Sequence, residues 1–278
     1  MKRLLLLMSL SAVLLMLAAC GGEEESAEGA EESGEVRTVE VAVSSSSRPL
    51  SYVGDDGELT GYEPELLRAI DEKLEGYEFN MEGASDSAGE IGLDTGQYDM
   101  LAQGLILSPE REESYLVPDE SNGPSLMKIF ATGDQEGEIE SLDDLQGKNV
   151  VPVTPTGGVF NLLNGYNEEH PDNQIEFDTS DGGIPTSDRL QEVNDGVYDA
   201  LVHPSNLGQQ EIIEEAGLDI HVTEPVEINP TYFLIHDSEE NAELRDKVSE
   251  ALAELKEEGT VSELSNEFYG EDILQYEE

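Results

Sequence analysis

Residues 93–101 read LDTGQYDML and residues 193–201 read VNDGVYDAL, so Gly96, Tyr98, Asp99 and Leu101 return as Gly196, Tyr198, Asp199 and Leu201. Four matches in so short a window are modest evidence alone, but each copy follows the same kind of opening. Thr38 to Val43 alternates polar and apolar and reads as a strand. Pro64 suits a first helical turn, and Leu66, Leu67, Ile70 and Leu74 form one apolar face that Gly76 ends. Tyr77, Phe79 and Met81 then alternate as a second strand. From Gly147 the pattern restarts: Val150, Val151 and Val153 predict a strand, and Thr154-Pro155-Thr156-Gly157-Gly158 a tight turn. Val159, Leu162, Leu163 and Tyr166 follow at helical spacing. Strand, helix, strand implies a parallel sheet. Two such openings predict an α/β chain with two similarly built lobes, an architecture that traps small ligands in the intervening cleft.

The chain closes on two more predicted helices. Leu244, Val248, Ala251, Leu252 and Leu255 are stopped by Gly259, and a shorter stretch carries Val261, Leu264 and Phe268. Its start is of another kind. Lys2 and Arg3 precede an uncharged run from Leu4 to Ala19, shorter than the roughly 20 residues a spanning helix needs. A charged start, a short apolar middle and small residues before a cut describe an export signal over residues 1–19. Cys20, the only cysteine, follows directly in Leu17-Ala18-Ala19-Cys20-Gly21, which resembles the lipobox of bacterial lipoproteins. The resemblance implies a lipidated Cys20 as the mature N-terminus on the outer face of the cell membrane. The alternative is an ordinary signal or short anchor with an incidental cysteine. Residues 21–35 are mostly Glu, Gly, Ser and Ala and lack a large apolar side chain, so residues 20–35 read as a disordered acidic tether. With Cys20 lipidated, the folded part has no disulfide and depends on its core.

Charge narrows the partners. Against 64 acidic residues stand 13 basic ones, for a net −51. Losing Lys2 and Arg3 with the signal takes −51 to −53. Phosphate binding needs basic patches, so nucleic acid is excluded as a partner. Self-repulsion at this charge weakens a compact state unless salt screens it, and the Debye length is about 3 Å at 1 M. A saline habitat is one expectation, a merely solubilising acidic surface the other.

Four segments carry a family resemblance. GELTGYEPELLRAIDEKL resembles the first-helix signature of bacterial solute-binding proteins of the amino-acid type, family 3. SPEREESYLVP resembles their ligand-arginine segment, SLDDLQGKNVVPVTPTGG the start of their second lobe, and TYFLIHDSEENAELRDKVSEALAELKEEGTVSELSNEFYG their closing helices. In family order these cover nearly everything from Val36 to Gly270, with a weak lean towards the cystine and polar amino-acid subgroup. The resemblance implies a two-lobed periplasmic-binding-protein-like fold of type II. Lobe 1 would comprise residues 36–128 plus 231–278, and lobe 2 residues 129–230. It further implies a monomeric, lipid-anchored receptor that binds an amino acid or related small polar zwitterion and presents it to the permease subunits of an ABC importer. No cofactor, no metal and no catalysis are expected.

Arg111 is the leading site residue. Its guanidinium offers planar, bidentate donors to a carboxylate. Eleven basic residues remain once Lys2 and Arg3 leave, so one just after a polar loop stands out. The alternative is that Arg111 only pairs with Glu110, Glu112 or Glu113. Arg48, beside the serine run, is expected at the rim. Thr156-Gly157-Gly158 opens a helix directly after a strand, where backbone N–H groups and the positive helix end favour an anion; the plainer alternative is a glycine-rich turn. The family places these positions and a hydroxyl such as Ser108 around the ligand carboxylate. Further cleft candidates are Ser44, Ser47, Tyr52, Asp86, Gln103, Gly104, Ile106, His203, Ser205 and Asn206. The chain departs from the family in three places. Ile106 stands where relatives often have a hydroxyl, Ser47 and Asp86 where many have a stacking aromatic, and Pro204 where a carboxylate usually holds the ligand's amino group. Asp86, with Ser44 or Asn206, is the expected substitute anion. Two other functions compete: an exported dehydratase-like enzyme using His203, Asp86 and Glu90 for acid-base work, and a ligand sensor. His170, His203, His221 and His236 are scattered, without metal spacing.

Overall fold

A computed structural model describes residues 36–155, 157–180 and 184–277. The leader over 1–19, Cys20 with the tether to residue 35, and Thr156 lie outside the described residues.

The first predicted unit forms as read. Strand β1 (Arg37–Ser44) buries Val39, Val41 and Val43 on one face and Ala42 on the other. Short strands β2 (Ser46–Ser47), β3 (Ser51–Val53) and β4 (Leu59–Thr60) make a small antiparallel sheet beside it. Helix α1 (Tyr62–Lys73) then lays Leu66, Leu67 and Ile70 into the core, all fully buried, each contributing roughly 1.5–3 kcal/mol. Strand β5 (Tyr77–Ala84), helix α2 (Asp86–Asp94) and strand β6 (Met100–Ile106) follow. Helix α3 (Pro109–Ser114) is capped by Ser108, whose Oγ accepts the Arg111 N–H at 3.3 Å, with Pro109 at the start where its missing N–H costs nothing. Strand β7 (Tyr115–Leu116) precedes the long strand β8 (Gly123–Thr132).

The second unit repeats the plan: β9 (Val150–Val153), α4 (Gly158–Glu169), β10 (Phe177–Thr179), α5 (Thr186–Asn194), β11 (Ala200–Pro204), α6 (Gln209–Ala216) and β12 (Ile220–Val222). A second long strand, β13 (Glu227–His236), leads into α7 (Asn241–Glu258) and α8 (Thr260–Tyr269). Gly259 stops α7 as expected, in the left-handed conformation that only glycine adopts without penalty.

The main sheet runs β10-β9-β11-β8-β13-β6-β1-β5, and its two halves share one topology. In the first, β5, β1 and β6 are parallel and β13 lies antiparallel to β6. In the second, β10, β9 and β11 are parallel and β8 lies antiparallel to β11. The long strands β8 and β13 join the halves. They pair with each other over Gly123–Met127 and Glu227–Thr231, then diverge, β8 to β11 and β13 to β6. The apolar core divides at the same place. Two clusters draw their fully buried members from residues 39–126 and 233–273, and two others from residues 127–213.

The hundred-residue echo marks equivalent corners. After α2 and after α5 the chain turns on Gly96 and Gly196, at φ 71° and 70°. The next acid staples the third strand to the first. Asp99 N–H donates to Glu40 O and its Oδ2 accepts Glu40 N–H, while Asp199 N–H donates to Asn149 O and its Oδ2 accepts Asn149 N–H. A carboxylate one residue before the strand satisfies a backbone donor just ahead of the point where the ladder begins.

Candidate functional site

The carboxyl end of β6, together with α2, α3 and the start of α4, lines a cavity of about 860 Å³. Its lining includes Gly104, Ile106, Ser108 and Arg111 from the first half and Gly158 and Asn161 from the second. Ligands of open α/β sheets bind at this end of the strands. Arg111 is positioned from two sides. Its Nη1 donates to Ile106 O at 2.7 Å, and its Nη2 to Glu90 Oε1 at 3.0 Å. Its side chain is 29% exposed, so the guanidinium is braced yet open to the cavity. The arginine therefore bonds Glu90 on α2, rather than the neighbouring Glu110, Glu112 or Glu113. The carboxylate of Asp94, also in the lining, accepts the Tyr115 hydroxyl, and that contact and burial push the phenol up to about 12.

Across the cavity, α4 begins at Gly157 with no side-chain cap. Its first-turn N–H groups lack intrahelical acceptors and present the positive helix end. Gly158 stands in the lining, with Gly157 beside it. Of the residues expected around a carboxylate, Ser108, Arg111 and Gly158 thus share one cavity, Gly157 lies outside its lining, and Thr156 is outside the described residues.

Of the further candidates, Gly104 and Ile106 stand in this lining, and the rest lie outside it. Ser44 and Ser47 pair through their hydroxyls at 2.8 Å. Tyr52 lies under the Arg48 guanidinium, 3.8 Å from ring centre to carbon, and Arg48 reaches Glu211 of α6 at 3.9 Å. Arg48 therefore touches both halves of the molecule. Asp86 is exposed at the first turn of α2. In the second half, His203 is a half-buried imidazole held by Gln209 at 2.6 Å, and desolvation lowers its pKa. Asn206 accepts the Ser125 hydroxyl at 3.4 Å, and Ser205 N–H donates to Leu126 O at 2.8 Å. Both amide atoms of Gln103 are buried without a hydrogen-bond partner.

A profile of bacterial extracellular solute-binding proteins, family 3, matches residues 39–271, nearly the whole described chain. The chain belongs to this family. Among curated relatives of this solute-binding protein, the probable amino-acid-binding protein YxeM of Bacillus subtilis is 28% identical over 84% of this chain and 84% of its own length. The L-cystine-binding protein TcyK of Bacillus subtilis is 24% identical over 85% of each chain. The solved structure of the probable amino-acid ABC transporter extracellular-binding protein ytmK from Bacillus subtilis superposes with a TM-score of 0.74 at 22% identity. It covers 86% of this chain and 100% of that one. The fold is the two-lobed type II periplasmic-binding-protein fold.

Two further residues of this solute-binding protein escaped the sequence reading. Glu90 bonds the leading arginine; it was read only as an acid-base group for an enzyme. Its place became visible only with α2, where it lies one turn after Asp86. Glu63, at the start of α1, is fully buried. Its Oε1 accepts the Gly104 N–H at 3.0 Å and the Asn122 side-chain amide at 2.8 Å, while its Oε2 is buried without a partner. Burial pushes this carboxyl up to about 7. Asn122 Oδ1 in turn accepts the Thr231 hydroxyl at 2.9 Å, so one buried group ties the cavity wall at Gly104 to both long strands. The signal was present: Glu63 shares the helical stripe of Leu67, Ile70 and Leu74, where an acid is out of place.

Proposed function

We propose that this chain is the receptor of an ABC importer for an amino acid or a related small polar zwitterion. One observation carries the reading: a single cavity of about 860 Å³ receives Ser108 and Arg111 from one side and the uncapped start of α4 from the other. A carboxylate there meets a guanidinium and the first-turn backbone N–H groups of α4 from opposite halves, so its binding favours their approach. Ligand that contacts both halves shifts the population towards closure. The names of the curated relatives, which bind amino acids or L-cystine, support the ligand class.

In this reading lobe 1 comprises residues 36–128 plus 231–278, and lobe 2 residues 129–230. The receptor is a monomer without catalytic function, held to the outer face of the membrane by lipid on Cys20. The acidic surface suits a saline medium; the check is a melting temperature that rises between dilute buffer and molar salt, and an unchanged value would remove this part of the reading. The central experiment is a thermal-shift screen of amino acids, cystine and small zwitterions at high salt, followed by Arg111→Ala on each hit. The substitution is expected to weaken binding by at least a hundredfold, about 2.8 kcal/mol. A hit that survives it unchanged would overturn the carboxylate assignment.

A further inference from the structure

The second half's share of the cavity lining, Gly158 and Asn161, contains no acid, so an ammonium group on the ligand finds no carboxylate there. The first half supplies what the second lacks. Glu90 lines the cavity and lies 3.0 Å from Arg111, whereas Asp86, one turn earlier on α2, is exposed and outside the lining.

Three features set Glu90 apart. Its side chain is 49% exposed, so it is free to turn away from Arg111. Arg111 stays placed without it, because Nη1 is held separately by Ile106 O at 2.7 Å. The lining is also unbalanced: Glu90, Asp94 and Glu110 face one guanidinium. A ligand carboxylate that takes Arg111 releases the Glu90 carboxylate and makes the cavity more negative still. An ammonium beside the released Glu90 offsets that charge, and a second ammonium offsets more.

We infer that Glu90 is the specificity-determining residue of this site. It occupies Arg111 in the empty receptor, yields it to the ligand's carboxylate, and then takes the ligand's ammonium. The site therefore selects zwitterions whose ammonium groups outnumber their carboxylates, such as dibasic amino acids, over neutral and acidic ones. This rests on the carboxylate reading of Arg111.

Titration calorimetry at fixed high salt, with lysine, glutamine, cystine and glutamate as probes, tests the two separately. Wild type is expected to bind lysine at least tenfold tighter than glutamine, with glutamate weakest. Glu90→Gln, which keeps the side chain's size, is expected to shrink the lysine-to-glutamine ratio at least fivefold. Circular dichroism melting establishes that the variant is folded, and Glu90→Asp should restore part of the preference. Uniform tightening of every ligand in Glu90→Gln would make Glu90 a mere competitor and overturn the inference, as would an unchanged ratio. So would a wild-type preference for glutamine, cystine or glutamate that Arg111→Ala abolishes, leaving the receptor reading intact. Binding that Arg111→Ala does not weaken, or no binding of any probe, would overturn both.

Discussion

Strands β6 and β11 hold the same place in the two halves of the sheet, and their ends carry opposite chemistry. At Gly104 the first half offers a backbone N–H to a buried carboxyl, Glu63. One hundred residues on, the second half has Pro204, which has no N–H to offer, and beside it the His203 imidazole, bonded to Gln209. Arg111, Glu90 and Asp94 all belong to the first half, while Gly158 and Asn161 supply the second half's share of the cavity. One framework thus serves two roles. The first half lines the cavity with its charges, and the second with backbone and a neutral side chain. The division makes physical sense: charges kept on one body are set in register by its own packing, while backbone dipoles on the other add attraction only when the two approach.

Substitutions at matched positions test that asymmetry. The largest effect on stability is expected at Glu63, which has no counterpart in the second half. Its folded-state pKa, near 7, is raised above the value of an exposed carboxyl, with burial as the chief cause. The stability it contributes is complete below the unfolded pKa, near 4.5, and is lost as pH rises through about 7. Wild type should therefore lose on the order of 3 kcal/mol between these pH values relative to Glu63→Gln, which cannot ionise. Urea unfolding of both proteins from pH 4.5 to 8 measures the difference. A flat difference would show that the first half carries no such buried charge.

Next come the twin corners. Asp99 bonds Glu40 N–H and also the Arg37 guanidinium at 3.0 Å, whereas Asp199 bonds Asn149 N–H and the neutral Gln135 amide at 3.2 Å. Charge-assisted bonds are the stronger, so Asp99→Ala should cost about 2 kcal/mol and Asp199→Ala about 1 kcal/mol. Equal costs in urea unfolding would break the claim that the first half is the charged one. The smallest effect belongs to Arg48, the charged contact between the halves. With both side chains nearly half exposed and 3.9 Å apart, the pair with Glu211 is worth at most about 0.5 kcal/mol. Arg48→Ala should leave the unfolding midpoint almost unchanged, and a larger loss would mean that the halves depend on this contact.

Much of this frame was legible in the chain itself. The stripe of Leu66, Leu67, Ile70 and Leu74 became α1, the alternation through Tyr77, Phe79 and Met81 became β5, and Gly259 ended α7 where it should. Periodicity shows such elements because each side chain's burial follows from its own position along a helix or strand. Strands β8 and β13 were not legible as joints. Each serves two partners along its length, and nothing local distinguishes a strand that changes neighbours midway. At the site, Arg111, Ser108 and Gly158 were brought together by the family resemblance, while the glycine turn at the start of α4 was legible from local chemistry alone. The partner of Arg111 was not. Three acids stand within two residues of it, and the one it bonds lies twenty-one residues earlier.

The sequence alone determined that the chain folds as two strand-helix units, that no cysteine lies beyond Cys20 to form a disulfide, and that the net charge is strongly negative. Those properties depend on residue type, count and short-range spacing. Only the tertiary structure decided that Glu63 is buried against Gly104, that Arg111 holds Glu90, and that Asp86 stands apart. Each of these depends on how α1, α2 and α3 pack around one strand end. With 64 acids to choose from, sequence distance carries no information about which of them a given basic group will meet.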